Sequence, residues 1–185
     1  KTPGVLLFVA YGLVFVEEFI KHKKISFSWL SIFLIPVGLL GTFYFYQMQT
    51  GDFWAYFHTG GVVPMPYPFS VFHSNARWVG TAWLEEIILY VALYGFAVIS
   101  LKENPHRSLF YFPFVFLLAS LFVQHRDLSR YMLPLWPFAL IAYQKTLTSK
   151  KFFIIFLLLI PAVYLYAWNF MISNILPISD WSAFL

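Results

Sequence analysis

Six apolar runs follow one another along this chain, with charge or proline at nearly every break, and that pattern leaves few folds open. The runs cover 5–20, 27–48, 83–101, 108–123, 128–144 and 152–170. Several approach the roughly 20 residues that a helix needs to cross a bilayer core. Hydrophobic residues make up 61% of the chain and charged residues only 11%, against roughly 25% charged in an ordinary soluble domain. A soluble fold of this size could not hide so much apolar surface, so the bilayer is the expected solvent. The expected fold is therefore all-α: a polytopic transmembrane helix bundle of about six membrane segments with an extracytoplasmic amphipathic helix or loop. Pro36, Pro134, Pro137 and Pro161 predict kinks, which neighbouring helices make tolerable by satisfying the freed backbone groups.

Residues 1–185 read as a single transmembrane domain. The chain opens on Lys1, with no secretory-signal pattern behind it. We therefore expect a piece of a longer protein, or a processed one. There is no cysteine, which excludes a disulfide framework and a Cys-based metal site. The five histidines are scattered, so no zinc cluster is expected. No phosphate-binding glycine loop and no hydrolase or zinc-protease motif is present. The basic residues lack the aromatic interleaving of a nucleic-acid surface, so no nucleic acid is expected as a partner.

The lysines and arginines set the orientation. One set of loops holds Lys21, Lys23, Lys24, Lys102, Arg107, Lys145, Lys150 and Lys151; the other holds Lys1, Arg77, Arg126 and Arg130. Eight against four places the first set in the cytoplasm. The loop 49–81, the polar segment 124–131 and the C-terminal tail then share the extracytoplasmic side of a multi-pass membrane protein.

The segment 124–131 reads QHRDLSRY and packs five ionisable side chains between two apolar runs: His125, Arg126, Asp127, Arg130 and Tyr131. If a helix starts here, Arg126 and Arg130 stack on one face about 5–6 Å apart at Cβ. Two guanidiniums at a helix N-terminus suit a phosphate or carboxylate. Asp127 could orient one of them. Snorkelling to headgroups, or pairing among themselves, is the competing account.

The stretch 50–58 reads TGDFWAYFH. It fits an amphipathic helix in the membrane interface, with Asp52 as N-cap. Trp54 and His58 are either interface anchors or a stacking platform for a sugar ring. Gly60, Gly61, Pro64, Pro66 and Pro68 predict an extended loop after it. His73 and Arg77 follow as candidates for the same cavity. Glu85 and Glu86 fall in the first turn of the third span, where the helix dipole favours carboxylates; Glu85 is a candidate partner for Arg77, Arg126 or Arg130. Glu17 and Glu18 sit beside Lys21–Lys24, where local pairing is expected.

Two of these motifs resemble the C-terminal half of the GT-C superfamily of membrane glycosyltransferases, most of all the PIG-V-like mannosyltransferase family. Thr50-Gly51-Asp52 with Ala55 and Phe57 is similar to that family's luminal GDP-x-A-F stretch, with Phe53 where the family has proline. Arg126-Asp127-Leu128-Ser129-Arg130-Tyr131, followed by Leu133-Pro134 and Trp136-Pro137, is similar to its R-x-x-x-R-Y-x-L-P-x-x-P segment. The resemblance implies transfer of a sugar, such as the mannose of that family's pattern, from a polyprenyl-phosphate donor to an acceptor glycan or glycolipid on the extracytoplasmic face. It implies no cofactor and no metal beyond the lipid-linked donor, with membrane lipid around it. Arg126 and Arg130 would hold the donor phosphate, with His125, Asp127, Tyr131, Arg77, Trp54, His58 and Glu85 lining the substrate site. The family's catalytic aspartate lies in a first extracytoplasmic loop that nothing here matches, so the base is expected outside this chain and Asp52 is an accessory candidate. A transporter or flippase for an anionic lipid or sugar, and a non-catalytic membrane assembly subunit, are the alternatives.

Overall fold

The computed structural model describes residues 2–24, 26–59, 64–73, 84–125 and 128–172. Every regular element among them is helical, and no strand occurs among the described residues. The chain divides into two compact units, Lys1–Ala142 and Tyr143–Leu185.

In the first unit, α1 (Leu6–His22) ends where Lys23 takes a left-handed conformation and its N–H returns to the Phe19 carbonyl. A 3-10 stretch, Phe27–Phe33, follows, begun by Ser26, whose Oγ accepts the Ser28 N–H. It leads into α2 (Leu34–Thr50), with Pro36 in the first turn, where its missing N–H costs nothing. The chain then passes through the single turn α3 (Ala55–His58) and a short 3-10 turn, Ser70–Phe72. α4 (Leu84–Ser100) and α5 (Ser108–Leu121) form an antiparallel pair across the 101–107 turn.

The run 128–144 is broken, not one continuous helix. α6 (Leu128–Tyr131), a 3-10 turn at Leu133–Leu135 and α7 (Trp136–Ala142) replace it. Pro134 cannot donate to the helical ladder, and Pro137 suits the first turn of a new helix. Met132 and Leu135 close the gap through turn bonds to Leu128 and Met132 carbonyls.

α1 packs on α5, α5 on α4, and α4 on α7, with α2 beside α1. The buried positions are few and several are small: Ala10 and Val14 on one face of α1, Ala97 in α4, Ser120 in α5 and Ala139 in α7. Small residues let helix backbones approach closely when lipid removes the hydrophobic drive between them. Met132, Leu135 and Leu128 are among the most deeply buried side chains, with Ile87 and Val71, and Phe112 meets Phe138 at 5.1 Å between α5 and α7.

The second unit carries α8 (Gln144–Leu147) and α9 (Lys150–Ile172). α9 is apolar on all sides, and its large side chains from Phe153 to Trp168 are exposed. A helix of that kind suits hydrocarbon as its solvent. Two stretches are long and apolar enough to cross a membrane, Phe27–Thr50 of 24 residues and Lys150–Asn169 of 20 residues. α1 and α4 have 17 residues each and α5 has 14. The six apolar runs all carry helix, but among the described residues only two stretches are of full spanning length, fewer than the six membrane segments expected, because the other helices are short or broken.

Candidate functional site

Helix direction decides which polar groups meet. Phe15 packs on Trp29 at 5.2 Å and Phe8 on Phe33 at 5.6 Å, so the chain turns back after α1. Glu17, near the end of α1, reaches Arg107 at the start of α5. Both α2 and α5 therefore run antiparallel to α1. Their C-termini emerge at one end of the first unit, together with the N-terminus of α4, which contacts α6. The loop after α3 is pinned there, since Met65 N–H donates to the Phe122 carbonyl at 2.8 Å.

At this end the segment 50–58 forms a compact polar turn at 51–54 that runs into the single helical turn α3, shorter than the amphipathic helix expected. Gly51 caps α2 at φ 74°, a left-handed conformation that glycine adopts without a Cβ penalty. Gln47 Nε2 donates to the Gly51 carbonyl at 3.1 Å, and Thr50 Oγ1 donates to the Tyr46 carbonyl at 2.8 Å. The chain reverses, and Asp52 Oδ1 accepts the Trp54 N–H at 2.9 Å. Asp52 Oδ2 accepts from His58 Nδ1 at 2.7 Å. The carboxylate is held below its ordinary range, first by the His58 hydrogen bond and then by the Trp54 N–H. An ionised carboxylate only accepts, so Nδ1 carries the proton in this pair. The imidazole is exposed.

Below the dyad lies an aromatic cluster. Buried Phe43 of α2 touches Phe53, Trp54 and Phe57 at ring separations of 5.5, 5.4 and 5.9 Å. Phe53 fills this cluster. Trp54 remains half exposed, leaving part of its ring for a ligand. Tyr46 and Tyr56 border an adjoining cavity of about 370 Å³.

In the segment 124–131, the His125 and Tyr131 rings meet edge-to-face at 4.9 Å. The Arg130 guanidinium lies 5.9 Å from the Tyr131 ring centre. α6 is described only from Leu128, so Arg126 and Asp127, and with them the Arg126–Arg130 clamp, lie outside the described residues. Arg77 lies outside them too. Glu85 belongs to the first turn of α4 by its backbone, its side chain lying outside the described residues, and Glu86 is exposed. The structure thus brings Asp52, Trp54 and His58 into one group and His125, Arg130 and Tyr131 into another, both at the same end of the first unit. Among the described residues no cluster of histidines and carboxylates could hold a metal ion.

Sequence reasoning missed a second polar group, at the opposite end. Glu17 Oε1 accepts from Lys21 at 2.5 Å, the expected local pair. Glu17 Oε2 accepts from Arg107 Nε at 2.8 Å across 90 residues. Arg107 Nη1 also donates to the Lys102 carbonyl, and the guanidinium lies 5.1 Å from the ring centres of Phe110 and Tyr111. The Glu17 hydrogen bond holds Arg107 above its ordinary value. The only available signal was topological, because Glu17 lies near the end of α1 that leads into the same set of basic loops that holds Arg107. No protein-family model, no curated protein and no solved structure matches the chain, so any family reading rests on the short motifs at 50–57 and 126–137.

Proposed function

We propose that this chain is part of an integral-membrane glycosyltransferase of the GT-C kind. Its six helical segments lie in the bilayer, and the end carrying His58 and Arg130 faces away from the cytoplasm, as the eight-to-four division of basic residues argues. The observation that carries the reading is the Asp52–His58 dyad, placed at the same end as Arg130. The substrate class is a sugar on a polyprenyl phosphate, and the acceptor is a glycan or glycolipid hydroxyl.

The chemistry follows from these groups. His58 Nε2 takes the proton of the acceptor hydroxyl as its oxygen bonds to the anomeric carbon. The bond from that carbon to the lipid phosphate breaks, and the electron pair leaves with the phosphate. Arg130, with Arg126, meets the growing negative charge at the membrane edge, where preplaced cations act more strongly than water. Asp52 fixes the His58 tautomer. The half-exposed Trp54 ring offers the sugar an apolar face.

The test is transfer from a radiolabelled polyprenyl-phosphate mannose in membranes holding the full-length protein. His58→Gln is expected to lower the rate about 100-fold or more, the usual effect of a lost general base. Arg130→Ala is expected to lower it about 100-fold through lost charge stabilisation. Transfer within threefold of wild type in both variants refutes the reading.

A further inference from the structure

At the end of the first unit opposite the dyad, three cavities share walls. The first, about 430 Å³, is charged, with Glu18, Lys21, His22, Lys102, Glu103 and Arg107 around it. The second, about 480 Å³, shares Glu18 and Arg107 with the first and adds the hydroxyls of Ser28 and Ser31. The third, about 650 Å³, shares Trp29 and Ile32 with the second and is otherwise walled by side chains such as Phe8, Leu13 and Phe33. Lining polarity therefore falls in order from ions to hydroxyls to hydrocarbon. Each volume lies within the roughly 300–1,000 Å³ of small-molecule sites. The shape is that of an amphiphile, head at the Lys21 end of α1 and tail along the α1 face that meets the 3-10 stretch.

We propose that this groove holds one membrane phospholipid whose headgroup carries both a phosphate and a primary amine, of the phosphatidylethanolamine class. The charge pattern selects that head. Glu17 is engaged by Lys21 and Arg107. Among the described residues, Glu18, Glu103 and Lys102 have no ion-pair partner. The phosphate takes Lys102 and the remaining Nζ protons of Lys21; the ammonium donates to Glu18 and Glu103. A lipid of net negative charge would meet two unmatched carboxylates. A choline head has no N–H to give them. The tail lies beside Gly12, where a Cβ would meet nothing within 4 Å. The inference depends on membrane embedding and is independent of glycosyl transfer, so its failure leaves the dyad reading standing.

The test is native mass spectrometry of the purified full chain in detergent with equal amounts of phosphatidylethanolamine, phosphatidylcholine and phosphatidylglycerol. One phosphatidylethanolamine per chain should be retained about tenfold over each competitor, on the scale of one charge-assisted hydrogen bond. Glu18→Gln with Glu103→Gln should reduce that lipid to the level of phosphatidylcholine with an unchanged thermal midpoint. Gly12→Leu, which fills the tail groove without touching a charge, should lower retention of all three. Equal retention of the three lipids by wild type overturns the proposal. So does a preference for phosphatidylethanolamine that survives the double substitution.

Discussion

The Glu17–Arg107 contact offers the sharpest quantitative test of how the first unit is assembled. It is a hydrogen bond between two ionised groups, each about a fifth exposed: the side chains are 18% and 23% accessible. Hydrogen bonds to charged groups contribute about 1.5–3 kcal/mol. Partial exposure puts the expected coupling at the lower end, about 1.5 kcal/mol. The Lys21–Glu17 pair lies within one helix, and its lysine is 58% exposed, so it is worth only about 0.3–0.5 kcal/mol. Arg107 also covers the Phe110 and Tyr111 rings, so Arg107→Ala alone should cost more than the ion pair, by about 0.5–1 kcal/mol of cation–π attraction.

A double-mutant cycle of Glu17→Gln and Arg107→Ala removes that extra loss and isolates the pair. Reversible unfolding in mixed detergent–SDS micelles, followed by far-UV circular dichroism, measures it. Lys21→Ala serves as the control and should shift stability by less than about 0.5 kcal/mol. High salt should erase the Lys21 contribution before that of Arg107, because the more exposed pair is screened more. If the two substitutions add to within about 0.3 kcal/mol, the geometry-based estimate is refuted. The antiparallel docking of α1 on α5 would then owe nothing to this pair.

Three further outcomes are expected. Gly51→Ala should destabilise the chain by about 1–2 kcal/mol through its backbone alone, since φ is 74° and the space is open, and Gly51→Asn should recover part of the loss; equal thermal midpoints for Ala and Gly would refute the left-handed cap. Asp52 has a folded-state value below its ordinary 3.8, so the stability it confers is fully present above 3.8 and is lost as pH falls through the lower folded value. The stability gap between wild type and Asp52→Asn should therefore shrink only below pH 3.8, and a gap constant down to pH 2 would remove the linkage. The chain has no cysteine, so single cysteines report sidedness cleanly. Glu103→Cys and Ser149→Cys should react with an impermeant maleimide from one side of sealed vesicles and Thr59→Cys from the other, and labelling of all three from one side would sink the proposed topology.

How much of this was legible in the sequence depended on how local each interaction is. The helical runs were, because apolar length and proline placement act over a single segment. Even so, the proline pair at 134 and 137 did more than kink the fifth run: it split the segment into α6, a 3-10 turn and α7. The Glu17–Lys21 pair was legible because four residues make one helical turn. Arg107 was not, because its partner is chosen by which helix packs on α1. Asp52 and His58 were each singled out, yet not as a pair. On a helix, six residues put side chains on different faces, so reading 50–58 as an amphipathic helix separated the two groups that the Gly51 cap and the turn after it bring together.

That difference bears directly on the chemistry proposed for this chain. Read as a helix, 50–58 offers a capped start and an aromatic face, and a base has to come from elsewhere. Read as a turn, the same residues supply a carboxylate, a histidine of fixed tautomer and a half-exposed indole on one support. In the proposed function Asp52 then changes role: it is the group that orients His58, and the imidazole is the one proposed to meet the substrate. Phe53 gains a reason as well. A proline there would leave Phe43 without the ring that packs on it at 5.5 Å. The aromatic cluster anchors the turn to α2, and the turn holds the dyad. Replacing Phe53 by Ala should therefore loosen His58 as well as the cluster, without touching either member of the dyad.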